Sequence, residues 1–251
     1  MPHIDLNCDM GEGFGPWKMG ADLTLLKYIT SANIACGFHA GDPDVMYATV
    51  KAAVAAGVKV GAHPGLPDLQ GFGRRAMAVS PEAVRNMVIY QVGAMQGFAR
   101  ALGTPLHHVK THGALYNMTA RDTELATAVA QGIAGVDRNL VVYVGHAAMA
   151  DAARECGLPI AFEVFADRTY QDDGTLTPRS APNAMIEDVD IAIAQVRRMV
   201  HEGVVRAVSG KDVRIQADTL CIHGDQPGAT VFAQRIRDAL SADGIQITAS
   251  R

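Results

Sequence analysis

Several histidines of this chain lie at or just after short runs of β-forming residues. Nine occur in 251 residues, and five of them follow short runs rich in apolar and β-branched residues: His39, His63, His112, His146 and His223. Imidazole changes its charge closer to neutral pH than any other unperturbed side chain, and it ligates metals readily. Residues that follow successive parallel strands meet at one edge of the sheet. We therefore expect the five histidines to gather at one rim and to do acid–base or metal chemistry there.

The first predicted strand and the residues after it carry an acidic series. Its polar members are Asp5, Asn7, Asp9 and Glu12. Together with His39 and His63 they have the donor atoms that a divalent cation binds. The chain has no H-E-x-x-H pattern, and a carboxylate–histidine network with one general base uses the same residues. Both interpretations stay open, and we assign no metal ligand from the sequence.

Lys110 lies between two histidines, His108 and His112, at positions of the same strand parity. A lysine on the inner side of a sheet can hold a carboxylate or a phosphate, or form a Schiff base. It can also be a buried cation that pairs with Glu163 or Asp9. The sequence leaves these roles open.

The segment 63–75, HPGLPDLQGFGRR, is long, rich in Gly and Pro, and ends in Arg74 and Arg75. Loops that follow strands often cover active sites and supply binding residues. We expect a lid or an anion clamp here, with a plain surface excursion as the alternative.

Two glycine-rich stretches resemble phosphate loops but lack the required context. GEGFG (11–15) is followed by Pro16-Trp17 rather than by a helix, and 203–211 ends in Ser-Gly-Lys with Asp212 where a Ser or Thr is needed. There is no G-x-S-x-G elbow. The four cysteines are dispersed and typical of packed, reduced thiols. The chain therefore offers neither a standard nucleotide cradle nor a serine-hydrolase motif.

Short β-rich runs alternate with helical stretches along the whole chain. The predicted strands are 3–8, 33–37, 59–63, 108–112, 140–145, 160–165 and 219–223, and the predicted helices are 43–56, 81–102, 126–133, 146–156, 182–202 and 228–240. This alternation is typical of a parallel α/β protein. We predict one domain over residues 1–251, a single-domain (β/α) barrel of about seven parallel strands. A doubly wound open sheet is the competing architecture.

Strand parity places ionisable groups on one face. In the first strand, Ile4 and Leu6 alternate with Asp5 and Asn7. Barrel lumens that only pack are lined by branched apolar side chains, and burying an unpartnered charge costs several kcal/mol. We therefore expect the inner face to be functional, the alternative being a polar face in contact with water.

Composition excludes several classes of protein. Lys and Arg number 22 and Asp and Glu number 26, giving a net charge of −4, whereas nucleic-acid binders need a basic field. No apolar run approaches the roughly 18 residues of a membrane span, and the N-terminus lacks a secretory signal pattern. We expect a cytoplasmic protein with neither nucleic acid nor membrane as a partner.

Six stretches resemble the LamB/YcsF family, whose members are described as the A component of prokaryotic 5-oxoprolinase. They are IDLNCDMGEGFG (4–15), NIACGFHAGDP (33–43), GAHPGLPDLQGFGRR (61–75), VKTHGALYN (109–117), FADRTYQDDGTLTPR (165–179) and CIHGD (221–225). The resemblance implies a barrel akin to the glycoside hydrolase/deacetylase group. It also implies that 5-oxo-L-proline, ATP and water give L-glutamate, ADP and phosphate, with partner subunits B and C.

The residues of the expected rim match that chemistry. Opening a lactam through phosphorylation needs a general base, cations for carboxylate and phosphate, and a site closed to bulk water. The catalytic candidates are Asp9, Glu12, His39, His63, Lys110, His112, Glu163 and His223. The substrate-binding candidates are Asn7, Asn33, Arg74, Arg75, Tyr116, Arg168 and Asp225.

Roles within this set follow from charge and proton chemistry. Asp9 is the expected base, oriented by His39 or His63, while His112 and His223 are expected to stabilise the oxyanion. Lys110 is expected to hold the substrate carboxylate or a phosphoryl oxygen, and Glu163 to pair with Lys110 or Arg168. ATP is expected to bind partly or wholly on the partner subunits, and a divalent metal stays open. Two rival functions are a stand-alone metal-dependent amide or N-acyl hydrolase and a non-catalytic scaffold.

Overall fold

Parallel strands and helices alternate along the chain, and the strands close on themselves. The computed structural model describes residues 2–20, 22–224 and 228–250. Its strands are β1 (His3–Met10), β2 (Ser31–Ala35), β3 (Lys59–His63), β4 (His108–Val109), β5 (Val141–Val144), β6 (Ile160–Phe165), β7 (Val204–Arg206), β8 (Asp212–Arg214), β9 (Thr219–Cys221) and β10 (Gln246–Ile247). Within these residues β9 pairs in parallel with both β6 and β1, which closes seven strands into a barrel. The predicted barrel is confirmed.

The helices cover the outer face of this barrel. They are α1 (Asp22–Leu25), α2 (Pro43–Ala55), α3 (Pro81–Ala101), α4 (Gly113–Thr119), α5 (Thr123–Val136), α6 (Ala147–Glu155), α7 (Val189–Glu202) and α8 (Ala229–Ala242). Ile4 and Leu6 of β1 are fully buried beneath them, as parity predicts. Among the described helices, none has the length and apolar character that crossing a membrane requires.

Local sequence determines where α2 and α3 begin. The Asp42 carboxylate accepts two backbone N–H groups of the first turn of α2 at 2.9 Å, and Pro43 takes the first helical position. The Ser80 hydroxyl accepts one backbone N–H, that of Ala83 at 3.2 Å, and Pro81 takes the first helical position of α3. Both starts match the prediction.

Helix α7 begins later than the sequence pattern indicates. The motif at 181–183 predicts a start near residue 182, but α7 begins at Val189 after its N-cap Asp188. The preceding residues are held in a long-range contact, because the N–H of Ile186 donates to the carbonyl of Asp167 at 2.8 Å. The hairpin β7–β8, the added strand β10 and the short helices α1 and α4 were also not predicted.

The lowest layer of the lumen is built around Asp5. Its carboxylate accepts hydrogen bonds from four hydroxyl groups, those of Thr30, Ser31, Tyr143 and Thr219. Asp5 is completely buried, so these donors replace the water that its oxygens lose on folding. This part of the predicted acidic series is structural and lies far below the rim.

The next layer depends on the missing side chain of Gly61. A Cβ atom there would overlap the ring of His108, which stacks on Tyr143 with ring centroids 4.2 Å apart. Nε2 of His108 lies 2.8 Å from Oδ1 of Asn33, and Nδ2 of Asn33 donates to Oδ1 of Asn7 at 2.7 Å. Burial lowers the pKa of His108, so this layer is a neutral hydrogen-bonded network.

The C-terminal residues cover the lower end of the barrel. β10 pairs with the start of β1, and the Ser250 hydroxyl donates to the Tyr143 hydroxyl at 3.0 Å. Nε2 of His107 lies 3.0 Å from the carbonyl of Ser250. These described residues therefore cover the lumen on this side.

Candidate active site

A cavity of about 510 Å³ opens at the C-terminal ends of the barrel strands, the usual place for active sites in such folds. Its floor contains Asp9, Glu12, His63, Lys110, His112 and His223, and its walls contain Arg74, Arg121, Arg168, Arg179, Tyr116 and His146. Acids and imidazoles thus lie in the centre, with arginines around them.

Asp9 lies near the end of β1 on the cavity floor. Its Oδ1 accepts from Nζ of Lys110 at 2.9 Å and from Nδ2 of Asn33 at 2.8 Å, and its Oδ2 lies 3.3 Å from Nε2 of His63. Burial alone would raise the pKa of Asp9, but the charges of His63 and Lys110 outweigh it and hold that pKa well below its usual value. The carboxylate is therefore ionised at neutral pH.

Lys110 is a fixed cation below Asp9. Its Nζ lies 2.9 Å from Asp9 Oδ1, 2.7 Å from Glu163 Oε1 and 3.1 Å from Cys221 Sγ. Burial would lower the pKa of Lys110, but Asp9, Cys221 and Glu163 outweigh it and raise the pKa well above its usual value. This geometry matches a buried cation paired with Asp9 and Glu163. It does not match the other two roles, an amine that forms a Schiff base and a cation that binds the substrate.

His63 and His112 face each other at the centre of the floor. Nδ1 of His63 lies 2.7 Å from the carbonyl oxygen of Lys110, and Nε2 of His112 lies 2.8 Å from that of Phe72. The other two ring nitrogens, Nε2 of His63 and Nδ1 of His112, are 3.0 Å apart. Burial is the main reason that the pKa of His112 is lowered to about 3, so its ring is neutral.

The loop after β3 holds His112 in place through its backbone. Phe72, whose carbonyl contacts His112, has φ of 53°, which costs energy in any residue other than glycine. The next residue, Gly73, has φ of 63°, and a Cβ there would lie within 3 Å of His39 and His112. The loop therefore packs its main chain directly on the imidazoles.

His39 is fully buried beside this pair. Its ring stacks on that of His112 with centroids 3.8 Å apart and an angle of 4° between the planes. Neither of its ring nitrogens has a hydrogen-bond partner among the described residues, and its Nε2 lies 3.9 Å from Oε1 of Glu12. Burial and the neighbouring imidazoles lower the pKa of His39, so the ring is neutral.

A second imidazole system lies across the cavity. Nδ1 of His223 lies 2.7 Å from Oδ2 of Asp167, and Nη2 of Arg179 lies 2.8 Å from Nε2 of His223. A guanidinium only donates, so Nε2 of His223 accepts and Nδ1 carries the proton toward Asp167. The result is an imidazole oriented by a carboxylate.

Arg168 and Tyr116 form part of the wall. The Arg168 guanidinium donates to the carbonyls of Thr177 at 2.6 Å and Ala184 at 3.3 Å. Burial, followed by the nearby Arg179, lowers its pKa to about 10, so Arg168 is still charged at neutral pH. Burial and the Glu163 carboxylate raise the pKa of Tyr116, which is therefore a neutral phenol.

Comparison with known proteins places the chain in a family. The model of the LamB/YcsF family matches residues 4–251. The chain belongs to this family. It is 70% identical to 5-oxoprolinase A subunit 2 of Bordetella bronchiseptica, covering 98% of this chain and 99% of that one. It is 56% identical to the 5-oxoprolinase A subunit of Bacillus subtilis, covering 99% and 97%.

A solved structure gives the same result. The lactam utilization protein from Thermus thermophilus matches this LamB/YcsF chain with a TM-score of 0.94 and 46% identity, covering 98% of this chain and 99% of that one. The resemblance seen in the motifs is thus confirmed over nearly the whole length.

In this LamB/YcsF chain, most of the residues expected at the rim come together. Those that line the cavity are Asp9, Glu12, His63, Lys110, His112, His223, Arg74, Tyr116 and Arg168. Asn7, Asn33, His39 and Glu163 lie beneath or behind this surface and contact its members. Asp225 lies outside the described residues.

Two expectations need correction. Arg75 does not reach the cavity, because its guanidinium turns outward to Asp68. The oxyanion role of His112 and His223 does not match their bonding either. The N–H of His112 is directed at a backbone carbonyl and that of His223 at Asp167.

Arg121, Arg179 and Asp167 belong to the site but were absent from the expected set. Arg121 lies just after α4, and Arg179 lies in the long segment between β6 and α7. Asp167 follows β6 at the lumenal parity, a signal that the strand pattern already contained. Arg179 is the last residue of the FADRTYQDDGTLTPR motif, although the sequence alone does not indicate which way it points.

Proposed function

We propose that this chain is the A subunit of an ATP-dependent 5-oxoprolinase, which opens 5-oxo-L-proline to L-glutamate with partner subunits B and C. The observation that carries the proposal is the ionised Asp9 carboxylate on the floor of an arginine-rimmed cavity. It occurs in a chain whose full-length relatives are named as the A subunit of 5-oxoprolinase.

The lactam is a stabilised amide, so its opening must be driven. Transfer of the γ-phosphoryl group of ATP to the amide oxygen makes the ring carbon electrophilic and gives ADP. Water then attacks that carbon while a base takes its proton, and cleavage of the ring C–N bond with protonation of the nitrogen gives γ-glutamyl phosphate. A second water molecule hydrolyses this acyl phosphate to glutamate and phosphate. This sequence needs one base, several cations and a closed site.

Asp9 acts as the base in this proposal. Its Oδ1 is held by Lys110 and Asn33, while Oδ2 faces His63. Two donors on one oxygen fix the carboxylate in orientation and leave the other oxygen for a proton. Glu163 balances the charge of Lys110 from below.

Anionic groups of the reactants bind to the arginines. Lys110 is already surrounded by two carboxylates, so Arg74, Arg121, Arg168 and Arg179 supply the positive charge around the cavity. Guanidinium groups match both carboxylate and phosphoryl oxygens in shape and charge. The chain has no standard nucleotide cradle, so ATP is held wholly or partly by the partner subunits.

A surface for those subunits lies next to the cavity. The stretch that follows Glu12 contains four large apolar residues with exposed side chains: Phe14, Trp17, Met19 and Leu23. Trp17 and Leu23 are each 71% exposed. Aromatic residues of this kind are enriched at the energetic centre of protein–protein interfaces, and a partner seated here would cover the cavity.

One set of incubations tests the proposal. The purified chain is mixed with 5-oxoproline, with or without the two partner subunits and with or without ATP, and glutamate is measured. Release that requires both partners and ATP supports the proposal. Release by the chain alone without ATP would instead support an amide hydrolase. Unchanged release by the complete enzyme after His63→Ala and Lys110→Ala would support a scaffold.

A further inference from the structure

Two imidazoles of the cavity floor have opposed lone pairs. A carbonyl oxygen only accepts, so each ring carries a proton on the nitrogen that contacts a backbone carbonyl, that of Lys110 for His63 and that of Phe72 for His112. Nε2 of His63 and Nδ1 of His112 then face each other as two acceptors at 3.0 Å. Such a contact is stable only with an electrophile beside it, either an additional proton or a metal cation.

A carboxylate completes a set of ligand atoms. Oε1 of Glu12 lies 3.6 Å from Nδ1 of His112, and the ligand atoms of Glu12, His39, His63 and His112 all lie within 4.8 Å of one another. Zn–N bonds of about 2.0–2.1 Å separate neighbouring ligands of a tetrahedral site by about 3.3–3.4 Å. The observed distances of 3.0 and 3.6 Å fall on either side of that spacing.

The hydrogen bonds of the other ring nitrogens, Nδ1 of His63 and Nε2 of His112, also favour a metal site. Histidines that ligate metals almost always donate their other N–H to a carboxylate, a backbone carbonyl or water, which fixes the ring and its tautomer. His63 and His112 each do so with a backbone carbonyl. Both also line the cavity, as Glu12 does, so a cation has a path to the site.

His39 supplies an independent observation. It is fully buried, and both of its ring nitrogens lack a hydrogen-bond partner among the residues described, a costly state for a polar group. Its ring is parallel to that of His112, so the two cannot both direct in-plane lone pairs at one ion. Its Nε2 lies 3.9 Å from Oε1 of Glu12, beyond hydrogen-bond distance.

We propose that Glu12, His63 and His112 bind one divalent transition-metal cation of the zinc type, with a further coordination position open to the cavity. Two imidazoles and one carboxylate are a typical donor set for catalytic zinc, whereas Mg²⁺ prefers oxygen ligands alone. This cation site does not depend on the proposed reaction. A cation at this point would polarise an oxygen atom or a water molecule in the cavity.

The test measures binding directly. The full chain is treated with a chelator, dialysed, and titrated with Co²⁺, whose visible absorption reports its coordination. We expect one equivalent to bind with the bands of a four- or five-coordinate ion, to be displaced by Zn²⁺, and to raise the melting temperature. Because no turnover is measured, failure of this inference is distinguishable from failure of the 5-oxoprolinase assay.

Matched variants locate the site. Glu12→Gln and His112→Asn are each expected to weaken Co²⁺ binding by at least about tenfold, while His201→Ala, at an exposed histidine of α7, leaves it unchanged. Circular dichroism checks folding, and Glu12→Gln carries the test if His112→Asn unfolds. Lack of stoichiometric Co²⁺ binding, or equal binding by folded Glu12→Gln, overturns the proposal and leaves a shared proton between the imidazoles.

Discussion

Arg179 donates a 2.8 Å hydrogen bond to Nε2 of His223, the nitrogen that faces the cavity side of the Asp167–His223 pair. The guanidinium therefore covers the ring nitrogen of an imidazole that Asp167 orients. An anionic group entering the cavity competes for Arg179, since charge-assisted bonds to carboxylate or phosphate are stronger than a bond to a neutral ring. Binding of substrate would thus free His223 to accept a proton.

Replacing Arg179 should weaken substrate binding. A hydrogen bond to a charged group contributes roughly 1.5–3 kcal/mol, so we expect Arg179→Ala to raise KM for 5-oxoproline about 10–100-fold. Steady-state kinetics of the complete enzyme measure this change. Arg206→Ala, an exposed arginine of the β7–β8 hairpin, is the control. An unchanged KM in Arg179→Ala would show that the guanidinium does not contact substrate.

Asp9→Asn should abolish most of the activity and leave the fold intact. The amide keeps an oxygen that can accept from Asn33 and Lys110, and Lys110 remains paired with Glu163. Loss of a general base typically lowers kcat by about 10²–10⁴-fold. Steady-state kinetics measure the loss of activity, and circular dichroism checks that the fold is kept. Asp151→Asn, at an exposed position of α6, is the control. Near-normal turnover of Asp9→Asn would remove Asp9 from the base role.

Lys110→Met should destabilise the protein. Without the ammonium, Asp9 and Glu163 are left as buried neighbours of like charge, and breaking a buried pair from one side typically costs about 3–5 kcal/mol. Urea unfolding at neutral pH measures the loss. Lys59→Met, at an exposed lysine of β3, should change little.

A double variant separates charge from packing in this experiment. Adding Glu163→Gln to Lys110→Met removes one of the two uncompensated carboxylates, so part of the lost stability should return. If the double variant is as unstable as the sum of the single ones, the damage comes from packing and the ion-pair account is wrong.

Acid should reduce the contribution of Asp167 to stability. Burial would raise the pKa of Asp167, but the electrostatic attraction and the hydrogen bond of His223, together with the charge of Arg179, outweigh it and lower that pKa. A carboxylate whose pKa is lower in the folded than in the unfolded state stabilises the fold at pH values above its unfolded pKa of about 3.9. This stabilisation is lost as the pH falls through the pKa of the folded state. The free-energy difference between wild type and Asp167→Asn, measured by urea unfolding, should therefore shrink below about pH 4. A difference that is constant with pH would contradict this assignment.

Trp17→Ala should weaken assembly without affecting the chain itself. The side chain is 71% exposed, so its loss costs little stability, whereas truncating an aromatic at the centre of an interface commonly costs about 2 kcal/mol or more, roughly 30-fold in Kd. Titration calorimetry with the partner subunits measures the affinity. Tyr90→Ala, an exposed aromatic of α3, is the matched control, and equal affinities would place the interface elsewhere.

The barrel and its rim were predictable because their signals are local. Caps such as Asp42 and Ser80 and the short β-rich runs mark the elements, and parallel strands then bring Asp9, His63 and Lys110 to one end without further information. The late start of α7 was not predictable, because it results from a bond between Ile186 and the residues after β6. Such pairings leave no trace in a local pattern.

Side-chain orientations and ring-proton positions in the site depend on contacts between distant residues, which a local sequence pattern does not encode. Arg74 and Arg75 are adjacent, yet Arg74 lines the cavity while the guanidinium of Arg75 binds the Asp68 carboxylate. Likewise, the ring protons of His63 and His112 are fixed by carbonyls that meet them only in the folded chain.

The cover that Ser250 and β10 form beneath the lumen has a kinetic consequence. If the cavity at the other end binds the lactam as proposed, glutamate would leave by the same opening through which the next substrate molecule enters. A partner subunit that covered this opening would have to move away once per turnover. Its opening, rather than breakage of the C–N bond, would then be the event that limits throughput.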